Sequence, residues 1–419
     1  MNINLNKQIL ESYNWRFVLA GFSLAFSILL SGSVVYLSEI FFILFLLLCF
    51  FELRFNPILA IIGLSCLSLL FFFSIGIDRG FNEIFFIILL LCLPSFYISS
   101  NPRCIDSLVY GIAIALSFSA LYAFSLLAMK VILPGMAEFF EPCFYGNNRS
   151  LNSCGIPPYM TSGFSLQRLY GLASEPSTYG MSHVVLLSLV ISNHKVKISS
   201  NFMIIQIMSI LATISITAIT LLIIVFGVMK FKKIKMPMQN IRESGKKNFR
   251  IIFGILTILT ILVVSVEGFS DAIMARTQGR LLDLFLGEDT SAFMRSAATW
   301  LPVLSFFTNV PFSQILFGMG LDEYIYFLKE FSTFTFVDGN LVIFEGQKGS
   351  IFSTLIISYG LFPVITLCAA LLILDRFRFT LALLSVFGFL FFHTVTLSFS
   401  TLALIYIVGI SKGEFIDGK

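Results

Sequence analysis

The feature that most constrains this chain is the stretch from residue 17 to residue 51, which is apolar throughout and carries one charge, Glu39. As a single helix it would run to about 50 Å, against a bilayer hydrocarbon core of about 30 Å. The stretch therefore reads as two short helices turning near Ser31-Gly32-Ser33. Similar runs recur along the whole chain, and only 12% of its 419 residues are charged while 57% are hydrophobic. A soluble domain of this size would have about a quarter of its residues charged. Such a chain calls for lipid as the solvent of most of its surface.

Further apolar runs fall at 57–75, 84–100, 108–133, 176–192, 251–266, 350–374, 380–393 and 396–410. Residues 199–229 read either as one long tilted helix or as two short ones broken around Thr213-Ile214-Ser215-Ile216-Thr217. Charge favours the hairpin. The loop 230–250 carries Lys230, Lys232, Lys233, Lys235, Arg242, Lys246, Lys247 and Arg250 against Glu243, and Lys195 and Lys197 precede the segment. Positive charge marks cytoplasmic loops, so the chain between these flanks crosses an even number of times.

The sum is an all-α polytopic membrane protein, a single integral domain over 1–419 with about twelve spans and both ends cytoplasmic. The polar segment 134–167 is expected outside, as is the large loop 268–349, whose acidic residues outnumber its basic ones. Within that loop Phe293 to Phe307 has an amphipathic pattern suited to a membrane surface, and 321–331 suits a second short helix. The first apolar run follows a polar stretch without a clean small-residue cleavage site, so it is expected to stay as a helix. Cys143 and Cys154 share the 134–167 loop and could pair in an oxidising compartment; the other cysteines are mostly small buried hydrophobes. A formal net charge of +4 gives no reason to expect a nucleic-acid partner.

Two arginine-bearing stretches stand out on the expected outer side. One is Arg168-x-x-Gly171-x-x-x-Glu175-Pro176-Ser177, where a polar loop enters a helix; the other is Arg295 ahead of Trp300, followed by Gly318-Met319-Gly320. The first resembles the signature of O-antigen polymerases of the Wzy type and of their relatives, the O-antigen ligases. The second is similar to their large external loop, and Gly349-Ser350 to Tyr359-Gly360-Leu361 resembles the helix that follows it. The likeness covers roughly 165–365 and the general helix plan.

What the resemblance implies is a GT-C-like glycosyltransferase that takes a glycan from an undecaprenyl diphosphate carrier and joins it to another lipid-linked repeat. It also implies a separate chain-length-determining co-polymerase. The residue chemistry fits on its own terms. A diphosphate leaving group needs positive charge, and the planar guanidinium fork matches phosphate. Arg168 and Arg295 are the expected phosphate ligands, with Arg276 and Arg280 in reserve, and Glu175 is the candidate base for the acceptor hydroxyl. In a helix starting at Pro176, Tyr179 and His183 follow Glu175 on one face and are candidate substrate contacts. No cofactor is called for: the outer loops hold no His and no Asp-x-Asp pair for a metal, and no phosphate-binding glycine loop appears.

Each residue has a plainer role open to it. Arg168 could snorkel to the interface, and Glu175 could serve only the helix dipole. Arg295 could touch lipid headgroups, while Arg276 and Arg280 could line a solvated face. His183 and His393 could simply bond a neighbouring helix. Two other functions also stand as alternatives. A ligase that moves the glycan to lipid A core would carry a histidine in its large external loop, and 268–349 has none. A flippase of lipid-linked sugars would place charges within its spans and often shows inverted repeats, neither of which is apparent.

Overall fold

The computed structural model describes residues 13–30, 35–73, 81–98, 102–132, 159–161, 164–166, 171–173, 176–193, 196, 198–213, 215–231, 297–330, 333–337, 340–344, 350–392 and 399–410. These residues are mostly helical. The described part of the first long apolar run forms α1 (Trp15–Leu29) and α2 (Val35–Cys49); the turn expected near Ser31-Gly32-Ser33 lies outside the described residues. Asn14 caps α1 by accepting the Arg16 N–H at 3.1 Å, and Arg16 Nε–H reaches the Leu48 carbonyl at 2.6 Å, tying the start of α1 to the end of α2.

Next come α3 (Pro57–Phe73) and α4 (Phe81–Cys92). Asn56 Oδ1 accepts the Ile58 N–H at 3.1 Å and Pro57 occupies the first turn, where a missing N–H does no harm. The expected helix 84–100 ends early. Pro94 falls in a single 3-10 turn, Leu93–Ser95, and the chain then straightens into a strand, β2 (Phe96–Ile98), which pairs antiparallel with β1 (Leu53–Phe55). Two further short strand pairs accompany the mostly helical structure. β3 (Tyr159–Thr161) pairs with β4 (Phe164–Leu166) inside 134–167, and β5 (Thr333–Val337) pairs with β6 (Asn340–Phe344) inside 268–349.

The longest helix among the described residues is α5 (Pro102–Ile132). Its backbone all but touches that of α1. A Cβ on Gly21 would lie 1.9 Å from the Leu108 carbonyl oxygen, and one on Gly111 would lie 2.0 Å from that of Val18. Small residues on both sides allow this approach, the device by which helices associate where lipid supplies no hydrophobic drive. At the middle stands α6 (Pro176–Ser192), all 17 residues of which are buried. It packs against α1, α5, α7 (Ser200–Leu211), α8 (Ile216–Phe231) and α14 (Leu381–Phe392).

The expected break in 199–229 lies between α7 and α8. Thr213 Oγ1 donates to the Ile210 carbonyl at 2.6 Å and accepts the Ser215 N–H at 3.2 Å, so a side chain takes over the backbone groups that the interrupted helix frees.

The C-terminal half holds α9 (Ala297–Asn309), α10 (Phe312–Phe317), α11 (Leu321–Glu330), α12 (Ile351–Tyr359), α13 (Leu361–Leu374), α14 and α15 (Phe399–Ile410). Residues 350–374 are two helices rather than the one expected, because Gly360 adopts φ 87°, a left-handed conformation that ends α12. The turn after α13 is held by Asp375, whose carboxylate accepts the Thr380 N–H at 3.3 Å.

Beside the apolar core, many polar side chains are buried while many large apolar ones are exposed. Ser119, Ser182, His183, Ser188, Gln206 and Ser209 have no exposed surface, whereas Leu47 is 65%, Phe51 81% and Phe231 90% exposed. Among the described residues, Arg103–Met129 within α5 is the one segment long and apolar enough to cross a membrane by length and composition; the shorter apolar helices run 10–17 residues.

Candidate functional site

The first arginine-bearing stretch is described at its centre and in its helix. Gly171, at φ 51°, lies under the Tyr179 ring: a Cβ there would come within 2.5 Å of Tyr179 Cε2 and 2.9 Å of the Ala123 methyl on α5. Gly171, Leu172 and Ala173 are buried, so the loop is pinned to α5 and α6 between the positions of Arg168 and Glu175. Arg168, Glu175, Arg276, Arg280 and Arg295 lie outside the described residues, as do His393, Cys143, Cys154 and helix 251–266. The helix that follows Arg295 starts at Ala297.

Tyr179 and His183 do share one face of α6, with ring centroids 4.1 Å apart. Neither has exposed surface. His183 Nδ1 lies 3.0 Å from Gln206 Oε1 on α7, and Nε2 lies 3.1 Å from Ser119 Oγ on α5. A carboxamide oxygen only accepts, so Nδ1 carries the proton and Nε2 accepts from the serine hydroxyl. Tyr179 Oη reaches toward the Ser119 carbonyl at 3.5 Å. What this arrangement does, as it stands, is join α5, α6 and α7 through a buried polar cluster. Both residues were expected as substrate contacts; the structure sets them in a buried helix-to-helix seam.

The second and third stretches meet. Gly318, Met319 and Gly320 run along the end of α12, where the Met319 N–H donates to the Ile357 carbonyl and the Gly320 N–H to that of Ser358, each at 3.0 Å. The last carbonyls of a helix have no partner within it, and here the loop supplies two. Contact is close enough to exclude side chains. A Cβ on Gly318 would fall 2.2 Å from the Ser358 oxygen, and one on Gly360 would fall 2.3 Å from the Leu316 oxygen.

Beside this junction α11 packs along α12, with Tyr324 Oη 3.2 Å from Thr354 Oγ1. Its first residue is also held from outside the loop: the Leu321 N–H donates to Glu83 Oε2 at 3.2 Å. Glu83 sits in the first turn of α4 and is buried. Sequence reasoning passed over it, because it stands at the rim of an apolar run and its partner lies 238 residues away. A carboxylate at the mouth of an apolar run was the only available signal.

No family model, no curated protein and no solved structure matches this chain.

Proposed function

We propose that this chain is a polytopic inner-membrane glycosyltransferase that polymerises undecaprenyl-diphosphate-linked oligosaccharide repeats on the periplasmic face, in the manner of Wzy-type O-antigen polymerases. The observation that carries the reading is the meeting of Gly318-Met319-Gly320 with Tyr359-Gly360-Leu361. Two stretches that resemble the family separately are thereby brought to one place. The buried polar seam and the exposed Leu47, Phe51 and Phe231 support a lipid surround, since large exposed apolar surface marks a membrane or partner contact. About twelve crossings, a GT-C-like plan and cytoplasmic termini belong to the same proposal.

In this reading Arg168 and Arg295 hold the diphosphate of the donor, with Arg276 and Arg280 in support. Glu175 takes the proton of the acceptor hydroxyl as its oxygen attacks the anomeric carbon of the donor. The anomeric carbon–oxygen bond to phosphate breaks, and undecaprenyl diphosphate leaves with its charge opposed by guanidinium. Membrane lipids and a chain-length-determining co-polymerase are the partners.

A deletion strain tests it through the length of its surface glycan. Loss of a polymerase leaves single repeats on the surface. Loss of a ligase leaves long chains on the carrier lipid, and loss of a flippase leaves no exported glycan. Either of the last two results rules the polymerase out.

A further inference from the structure

Glu83 is the one described acidic side chain that leaves its own helix to hold the start of another in the large loop. Three separate contacts dock that loop on the bundle. The Met319 and Gly320 amides bond the end of α12, Tyr324 meets Thr354, and the Leu321 amide bonds Glu83. The first two join segments near in sequence. The third reaches back to α4 and, beside the packing of α10 on α3, ties the loop to the N-terminal half of the chain. The first N–H groups of α11 have no partners within that helix, and its N-terminus bears partial positive charge. A carboxylate in a nearly buried position satisfies one such donor and meets that charge where little water competes.

We infer that Glu83 is a positioning residue: it latches α11 to α4, and so sets where the described part of the large loop, 297–330, stands on the bundle. The latch stands on the contacts above; its effect on transfer rests on the polymerase reading. Displacement of a reacting group by about 1 Å can cost about a hundredfold in rate, so a loop that supplies a phosphate ligand needs a fixed seat.

The test uses the full chain in lipid nanodiscs with two readouts, amide hydrogen exchange and polymer length. Glu83→Ala is expected to speed exchange at Asp322–Phe327 by about tenfold or more, since a hydrogen bond to a charged group is lost. Exchange in α5 and α6 stays as in the parent. Glu83→Gln keeps an acceptor oxygen and restores most of the protection. Leu321→Pro removes the donor instead, at a position where proline suits a helix start. It should loosen the same amides, and combining it with Glu83→Ala should give less than the sum of the two effects, because the variants share one interaction. Where Glu83→Ala does not fold, Leu321→Pro carries the test.

On the polymer readout, Glu83→Ala shortens the glycan ladder and Glu83→Gln recovers it. Unchanged exchange at Asp322–Phe327 in both single variants overturns the latch. Faster exchange with a parental ladder overturns the positioning role. A parent chain that makes no polymer overturns the proposed function instead, and leaves the latch to be decided by exchange.

Discussion

Gly360 stands with its α-carbon turned toward the backbone of Gly318: a Cβ on Gly360 would lie 2.4 Å from the Gly318 nitrogen, and one on Gly318 would meet the backbone of Ser358 and Tyr359 just before Gly360. Both have positive φ, 87° and 77°. Gly360→Ala should therefore cost on the order of 2 kcal/mol through backbone strain alone, with the clash added. Gly227 gives the control, since nothing lies within 4 Å of an added Cβ there and it sits inside α8. Gly227→Ala should raise stability by up to about 1 kcal/mol. Thermal unfolding in detergent distinguishes the two, and equal midpoints would contradict the packing described.

The buried seam makes a second prediction. His183→Ala and Gln206→Leu should each destabilise the chain, and the double variant should fall short of their sum by about 1 kcal/mol, the usual range for hydrogen bonds between helices in lipid. Strict additivity would mean that the 3.0 Å contact contributes nothing.

Helices α1 and α5 cannot approach as they do with larger side chains at the crossing. Gly21→Ile and Gly111→Ile should each lower the yield of folded, monodisperse protein sharply, because the new branches would have to enter the partner's backbone. Ile at the exposed Leu19 is the matched control. Size-exclusion chromatography reads the outcome, and a normal profile from either glycine variant would refute the crossing.

Arg168→Ala and Arg295→Ala should each reduce polymerisation by about a hundredfold or more, as expected when charge stabilisation of a leaving group is removed. Lysine at either position should recover part of the activity, since it supplies charge without the fork. A full-length glycan ladder from an alanine variant, at equal protein level, takes that residue out of the site.

Sidedness can be measured directly. A cysteine at the exposed Tyr326 in α11 should react with an impermeant maleimide added outside the inner membrane, and one at the exposed Phe377 should react only after lysis. The reverse pattern would put the large loop in the cytosol, where no lipid-linked repeat of the proposed kind is presented.

Much of the helix plan was legible in the sequence because its punctuation is local. Pro176 starts α6, and Thr213 with Ser215 interrupts α7 and α8 where polar residues break an apolar run. Gly360 was missed because a single glycine in a long apolar run does not reveal its φ; only the approach of residues 316–318 from another segment makes the break necessary. The β1–β2 pairing was missed for a related reason, since Leu53 and Ile98 find one another across two helices. At the candidate site, sequence placed Tyr179 and His183 on one face, yet their neighbours Ser119 and Gln206 belong to other helices and leave no local trace. Glu83 was overlooked on the same ground. The charged residues on which the chemistry would turn lie outside the described residues, so their placement stays with the sequence argument.

The glycine crossing between α1 and α5 also dictates an order of assembly. Helix α1 leaves the ribosome with a face shaped for a neighbour that has yet to be synthesised. Until α5 is made, Gly21 lacks the backbone against which it packs. A nascent chain cut short before Gly111 would leave that face uncovered.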